Sequence, residues 1–474
     1  MNADTIIRGG TILTATGQVR ADIAIAGGRI TALGCGLGSA RQEIDAAGRL
    51  VTPGGVDPHC HIEQMSGMGL WNADSFETAT AAAALGGTTT VISFAAQARG
   101  ERLADTVAAY AARATRGARI DHAFHVALCD TGVPGFHDDL VALAGQGHRS
   151  VKVFTTYDIK LEDAEILAVM EATARAGSLL CVHAETDAIV AHARAQLLAE
   201  GRRRPRDHAA ARPPAAEIDA VARICRFAAL TGAPVMIFHV TCRGALAEIR
   251  AARQAGAPVQ AETCTHYLFQ TEDVLDRPGM EGAKWMCSPP QRGPADRDAL
   301  WDALGRGDLA LVSSDHAPYR FDATGKLAAG PDAPFHKIAN GQPGLELRLP
   351  LLFDAMVTRG RLGAEAFVDL TATAPARVYG LAGKGQIAPG FDADIVIWDP
   401  HRQHIYGADD LHCNTGYNPF EGVTVIGWPE RVLRRGEVIV EDGRLTEAAA
   451  PGSGAWVDRP AIGVARAGAG AEAR

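Results

Sequence analysis

The stretch that decides the fold is Val151–His183, which begins with the run VKVF (Val151–Phe154) and ends with LLCVH (Leu179–His183). Both runs have the length and apolar composition of a buried strand. The alanine-rich segment between them is long enough for a helix. Two strands joined through a helix form a right-handed crossover in a parallel sheet. This stretch therefore predicts a β–α–β unit.

The same alternation recurs along the middle of the chain. Further short apolar runs lie at Thr89–Phe94, Asp121–Val126, Val235–Val240 and Ala310–Asp315, separated by segments of helical length. Their number, over roughly 300 residues, predicts a (β/α)8 TIM-like barrel of the α/β class.

Both ends of the chain have a different sequence pattern. Residues 1–52 contain short β runs punctuated by glycines, and β runs return at Asp394–Trp398 and Glu437–Val440. We therefore expect residues 1–52 and 386–450 to form one small β-sandwich domain, with the barrel at residues 53–385. Residues 451–474 are rich in glycine and alanine and are expected to be a mobile tail or a packing arm.

Composition excludes several classes of protein. The 474 residues include 46 Lys and Arg against 55 Asp and Glu, a net charge of −9, so there is no basic field to attract nucleic acid or an anionic membrane. No apolar run approaches the roughly 18 residues of a membrane span. The nine cysteines include no C-x-x-C pair, which suits a reducing compartment and predicts a cytoplasmic location by default. A small-molecule partner is the leading expectation.

The motif Asp57-Pro58-His59-Cys60-His61 is the most informative one for chemistry. Alternate residues of a strand share a face, so His59 and His61 can both present an imidazole to one metal ion. Three more metal-binding side chains end predicted barrel strands, where the active sites of such barrels lie; these are His183, His239 and Asp315. Four strands thus direct metal-binding groups to one point.

Lys152 lies inside an apolar strand, where an unpaired ammonium group is costly. The lysine can extend to solvent or pair with a carboxylate. Alternatively, its amine can add carbon dioxide and become a carbamate, an anionic oxygen ligand able to bridge two metal ions. Spacing alone leaves these alternatives open.

Together these residues resemble the cyclic amidohydrolase branch of the amidohydrolase superfamily, and specifically the dihydropyrimidinases and D-hydantoinases. The resemblance covers nearly the whole chain. The motifs that carry it are Val56–His61, Gly86–Thr90, Ala261–Cys264, Cys287–Pro290, Ser313–Pro318, Lys337–Gly341 and Gly390–Asp394, in addition to Lys152, His183 and His239.

The resemblance implies a binuclear zinc centre. His59, His61 and Asp315 would hold one Zn²⁺, and His183 and His239 the other. Lys152, carboxylated by carbon dioxide to N6-carboxylysine, would bridge the two ions. The family also implies a homotetramer or a homodimer.

The resemblance also assigns catalytic and substrate-binding roles. Asp315 would act as the general base and pass a proton to the departing ring nitrogen. Tyr157, five residues after Lys152 as in the family pattern, would stabilise the developing oxyanion. The backbone groups of Ser288 and Asn340 would hydrogen-bond the cyclic amide.

The loop that follows the histidine pair, Glu63–Trp71, departs from the pattern of better-known dihydropyrimidinases. We expect it to contact the substituent of the substrate ring. Glu63 and Gln64 would make the pocket more polar, whereas Met65, Met68, Leu70 and Trp71 would supply an adaptable apolar wall.

The leading hypothesis is hydrolysis of a cyclic ureide, a 5,6-dihydropyrimidine or a 5-substituted hydantoin, to an N-carbamoyl amino acid. An allantoinase is the nearest enzymatic alternative, although Tyr157 counts against it. A non-catalytic relative acting as an interaction protein is a third possibility. Such proteins have lost metal ligands, whereas every expected ligand is present in this sequence.

Overall fold

The N-terminal residues form short strands joined by tight turns. These are β1 (Ala3–Arg8), β2 (Thr11–Thr14), β3 (Gly17–Arg20), β4 (Asp22–Ala26), β5 (Arg29–Gly34), β6 (Ala40–Asp45) and β7 (Leu50–Pro53). The turn between β4 and β5 is made by Gly27 and Gly28, both with positive φ, which only glycine adopts at little cost.

The computed structural model describes residues 3–460.

The eight barrel strands follow, all parallel and in chain order around the sheet. They are β8 (Gly55–Cys60), β9 (Thr88–Ala96), β10 (Asp121–Ala127), β11 (Ser150–Phe154), β12 (Leu179–His183), β13 (Val235–Ile237), β14 (Val259–Cys264) and β15 (Leu311–Ser313). The sheet closes where Cys60, at the end of β8, forms a parallel bridge with His316, just beyond β15. The predicted barrel is confirmed.

Helices connect the strands and cover the outside of the barrel. They are α1 (Phe76–Leu85), α2 (Leu103–Gly117), α3 (Phe136–Gly145), α4 (Asp163–Arg175), α5 (Asp187–Ala199), α6 (Asp207–Ala211), α7 (Pro214–Thr231), α8 (Arg243–Gln254), α9 (Thr265–Phe269), α10 (Pro294–Arg306), α11 (Arg348–Phe353), α12 (Ala364–Val368) and α13 (Ala374–Val378). Local sequence sets their ends. For example, α7 begins with proline at its first position and is capped after Thr231 by Gly232, with φ 68°.

The chain then returns to the N-terminal strands. It forms β16 (Ile395–Ile405), β17 (Thr424–Arg434), β18 (Glu437–Glu441) and β19 (Arg444–Leu445). Strand β16 pairs antiparallel with β7, so one seven-stranded sheet combines both ends of the chain. A four-stranded sheet of β1, β4, β5 and β6 packs against it over a core rich in isoleucine. This arrangement confirms the predicted β-sandwich domain from both ends.

The segment after Pro451 was expected to be a mobile tail or a packing arm, and its described part packs against the barrel. The backbone of Ala455 and Val457 hydrogen-bonds to His122 at the start of β10. The guanidinium group of Arg459, 1% exposed, donates to the Ser150 hydroxyl at 2.8 Å. Residues 461–474 lie outside the described residues.

Two details differ from the sequence prediction. Strands β13 and β15 end at Ile237 and Ser313, two residues before His239 and Asp315, which therefore lie in the loops that follow. Strand β14 was not predicted from its pattern, because three polar residues, Gln260, Glu262 and Thr263, interrupt its apolar character. Among the described residues, no helix is long and apolar enough to cross a membrane.

Candidate active site

A cavity of about 350 Å³ lies at the carboxyl ends of the barrel strands. Every site residue predicted from the sequence lines it: His59, His61, Lys152, Tyr157, His183, His239, Ser288, Asp315 and Asn340. The barrel brings these side chains together because the carboxyl ends of parallel strands converge on one face.

The first cluster in this cavity consists of His59, His61 and Asp315. The Nε2 atoms of His59 and His61 lie 3.1 Å and 3.3 Å from Oδ1 of Asp315. Closure of the barrel places β8 beside β15 and so joins the histidine pair to the aspartate. Asp57 strengthens this closure, since its Oδ1 accepts hydrogen bonds from the backbone N–H groups of His59 and Ser314.

Three of the predicted site residues have left-handed backbone conformations. The φ angles are 72° for Tyr157, 41° for His239 and 46° for Asp315. This region is unfavourable for residues other than glycine, and such conformations persist where the surrounding structure over-determines them, commonly at functional sites. For His239 and Asp315, the turn comes two residues after the strand has ended.

Glu262, to which the sequence assigned no role, lies directly behind the candidate metal ligand His59. Its Oε1 lies 2.5 Å from Nδ1 of His59, and the side chains of both residues are buried. Burial alone lowers the pKa of His59, but the carboxylates of Asp315 and Glu262 outweigh it and raise this pKa above its ordinary value. Glu262 lies on β14, a strand that the apolar pattern did not predict, so the reasoning applied to Lys152, a charged residue inside a predicted buried strand, did not reach it.

Lys152 is 1% exposed, and its Nζ lies 3.9 Å from the ring centre of Phe238. Burial lowers the pKa of this amine to about 8. Among the described residues, no carboxylate forms an ion pair with it, and its burial prevents it from extending to solvent. Of the alternatives that the sequence left open, extension to solvent and an ion pair with a carboxylate are therefore not observed among the described residues.

His183 and His239 form the second cluster, with their ring centres 4.5 Å apart. Burial lowers the pKa of His183 to about 4, so the ring is neutral near pH 7, as a metal ligand must be. Nε2 of His183 contacts Oε2 of Glu185 at 2.7 Å. Nδ1 is therefore the ring nitrogen of His183 that remains for a metal ion. Arg212 forms an ion pair with the same carboxylate.

Tyr157 lies against Arg212, whose guanidinium carbon is 4.6 Å from the centre of the tyrosine ring. Burial raises the pKa of Tyr157 to about 12, so its hydroxyl group stays protonated and able to donate at neutral pH. Asn340 also lines the cavity, and its Oδ1 is buried with no hydrogen-bond partner among the described residues. The cavity therefore offers both a donor and an acceptor to a bound amide.

The Glu63–Trp71 loop contributes to the cavity only in part. Gln64, Met65 and Met68 line it, as expected. The expectation for Glu63 is wrong, because its carboxylate accepts from the backbone N–H of Phe76 at the start of α1, outside the cavity lining. Trp71 is also outside the lining and is 53% exposed.

The donor set fits a divalent metal ion. Ligand atoms of His59, His61 and Asp315 all lie within 4.8 Å of one another. In addition, Nε2 of His59 is buried, and although it lies 3.1 Å from Oδ1 of Asp315, no described residue forms a hydrogen bond of good geometry with it. A buried imidazole nitrogen without a partner is costly unless a bound group satisfies it, and imidazole with carboxylate is a ligand combination that zinc accepts.

Comparison with known proteins agrees with this geometry. The family model described as "Amidohydrolase family" matches residues 50–439. A D-hydantoinase from Ralstonia pickettii is 42% identical over 93% of this chain and 96% of its own length. A second D-hydantoinase, from Rhizobium radiobacter, is 40% identical over 95% of this chain and 98% of its own length. The crystal structure of dihydropyrimidinase from Brevibacillus agri superposes with a TM-score of 0.93 and 37% identity, covering 97% and 99% of the two chains.

The barrel, the donor cluster and these similarities place the chain among the amidohydrolases. Within that family, it belongs to the dihydropyrimidinase and D-hydantoinase group and is a hydrolase of cyclic amides.

Proposed function

We propose that this enzyme opens 5,6-dihydropyrimidines or 5-substituted hydantoins to N-carbamoyl amino acids at a binuclear zinc centre. The observation that carries the proposal is the convergence of five potential metal ligands and Lys152 on one cavity that also contains Tyr157. The enzymes named D-hydantoinase and dihydropyrimidinase, which this chain resembles over nearly its full length, support the same choice of ring.

His59, His61 and Asp315 would hold one zinc ion, and His183 with His239 the second. When bound, zinc supplies Lewis acidity towards the amide carbonyl and makes water a stronger acid. The buried position of Lys152 suits a bridging carbamate. Its neutral amine attacks carbon dioxide, a new N–C bond forms, one proton is released, and the product is an anionic oxygen ligand.

The remaining residues act on the substrate and its protons. The Asp315 carboxylate accepts a proton from the attacking water and delivers it to the ring nitrogen as the C–N bond breaks. The Tyr157 hydroxyl donates a hydrogen bond to the carbonyl oxygen, where negative charge develops. Backbone groups of Ser288 and Asn340 orient the cyclic amide so that this carbonyl faces the metal-binding residues.

Two further parts of the proposal concern the protein's setting. We propose that the enzyme is a homotetramer or a homodimer, as the resemblance implies. All nine cysteines are free and eight are buried, which suits a reducing compartment such as the cytoplasm.

The test is ring opening by protein expressed with zinc and bicarbonate, measured in parallel on dihydrouracil, 5-phenylhydantoin, allantoin and dihydroorotate. Turnover of either of the first two is expected, and their ratio identifies the preferred ring. Turnover of allantoin alone would favour the allantoinase alternative. Full activity in zinc-depleted protein would contradict the metal mechanism.

A further inference from the structure

The side chain of Gln64 contacts the ring nitrogen of His61 that faces away from the metal-ligand cluster. Oε1 of Gln64 lies 2.7 Å from Nδ1 of His61. The opposite nitrogen, Nε2, is the one that lies 3.3 Å from Oδ1 of Asp315. The two ring nitrogens of His61 therefore face different partners.

This contact determines which nitrogen carries the proton. An amide oxygen only accepts hydrogen bonds, so Nδ1 of His61 must be the N–H donor. In the neutral ring, Nε2 then keeps its lone pair, which is the form that binds a metal ion. Glu262 has the same relationship to His59, through Nδ1 at 2.5 Å.

Gln64 is itself held in place by Asn72. The backbone N–H of Gln64 donates to Oδ1 of Asn72 at 3.0 Å, and the backbone N–H of Asn72 donates to the carbonyl of Gln64 at 3.0 Å. Nδ2 of Asn72 also donates to the backbone carbonyl of His61 at 2.7 Å. These bonds fix the loop against the histidine, so the Gln64 contact is part of an ordered network.

We infer that Gln64 is a positioning residue that sets the tautomer and ring orientation of His61 for metal binding. The inference rests on the proposed function, in which His61 is a zinc ligand. A neutral amide performs this role without placing another carboxylate beside Asp315 and Glu262. Gln64 therefore orients the proposed metal ligand His61 in addition to lining the cavity for the substrate.

The test measures zinc affinity rather than turnover. Metal-free protein, prepared by chelation, is titrated with Zn²⁺ in competition with a chromogenic chelator. Gln64→Met keeps the length of the side chain and removes the acceptor, so zinc affinity should fall about 10–100-fold, the usual effect of losing such a partner. Gln64→Glu restores an acceptor and should bind zinc at least as tightly as the unsubstituted protein.

Two controls separate positioning from general damage. Met68→Leu changes an exposed residue of the same loop and should leave zinc affinity unchanged. In a His61→Ala background, Gln64→Met should cause no further loss, because Gln64 acts through His61. Circular dichroism of each metal-free variant checks that the barrel is folded.

Unchanged zinc affinity in Gln64→Met would overturn the inference, as would equal losses with and without His61. Weak zinc binding by the unsubstituted protein would instead contradict the proposed metal centre itself. The two failures are therefore distinguishable.

Discussion

Nδ1 of His59 lies 2.5 Å from Oε1 of Glu262, although 203 positions separate the two residues in the chain. Both side chains are completely enclosed. The barrel thus supplies a buried carboxylate to a predicted metal ligand that the local sequence places on a different strand. The same contact therefore joins two strands of the barrel, β8 and β14, and orients a predicted metal ligand.

Glu262→Met should weaken zinc binding about 10–100-fold, because His59 loses the acceptor that orients its ring. Glu262→Gln keeps an acceptor oxygen but removes the charge, so its loss should be smaller. Zinc affinity of both variants is measured by competition titration. Glu171→Gln, a change at a 63% exposed side chain on α4, is the matched control. Equal affinity in all variants would exclude Glu262 from the metal site.

Lys152→Ala should lose bound zinc and ring-opening activity together, because the proposed bridging oxygen ligand disappears. Short carboxylic acids added to the variant should restore part of the activity by occupying the vacated space. Zinc content is measured by elemental analysis, and activity by N-carbamoyl product formation. Lys337→Ala, at an exposed lysine, serves as the control. A Lys152→Ala protein with unchanged zinc content would contradict the carbamate.

Tyr157→Phe should lower kcat about 10²–10³-fold, the usual cost of removing one oxyanion donor. The ring and its contact with Arg212 remain, so the fold and zinc content should not change. Steady-state kinetics on the preferred substrate give the answer. A variant with the kcat of the unsubstituted enzyme would remove the hydroxyl group from the mechanism.

Lys326→Met should raise KM about tenfold, an effect equivalent to about 1.4 kcal/mol and within the range for the loss of one buried hydrogen bond. The Lys326 side chain is fully buried, and its Nζ donates to the carbonyls of Met286 and Ala339 at 3.3 Å and 3.0 Å. These carbonyls lie just before Ser288 and Asn340, whose backbone groups are proposed to bind the substrate. A change confined to kcat would argue against this positioning role.

The same lysine predicts a pH dependence of stability. Burial lowers the pKa of Lys326 from 10.5 to about 7. Between these values the unfolded chain binds a proton that the folded protein does not, so the free energy of unfolding should rise with pH relative to Lys326→Met. Denaturant titrations at pH 7 and pH 9.5 measure this difference. A pH-independent difference would show that the folded-state pKa is not lowered.

How much of the molecule could be predicted depended on whether the signal was local. Val151–Phe154 and Leu179–His183 are short runs of mostly apolar residues, as expected of buried strands. Strands β11 and β12 could therefore be predicted. Three polar residues obscure the same signal in Val259–Cys264, and β14 was missed. The positions of His239 and Asp315 beyond their strands depend on left-handed backbone turns that no local apolar pattern indicates.

The sequence by itself determined the alternation of strands and helices and the placement of chemical groups at strand ends, because both follow from periodicity within a few residues. Only the tertiary structure decided which partners those groups meet. Glu262 reaches His59, and Arg459 reaches Ser150 over 309 positions, through the closure and packing of the barrel. Such contacts are set by the register and curvature of the whole sheet, and no segment of the chain encodes them alone.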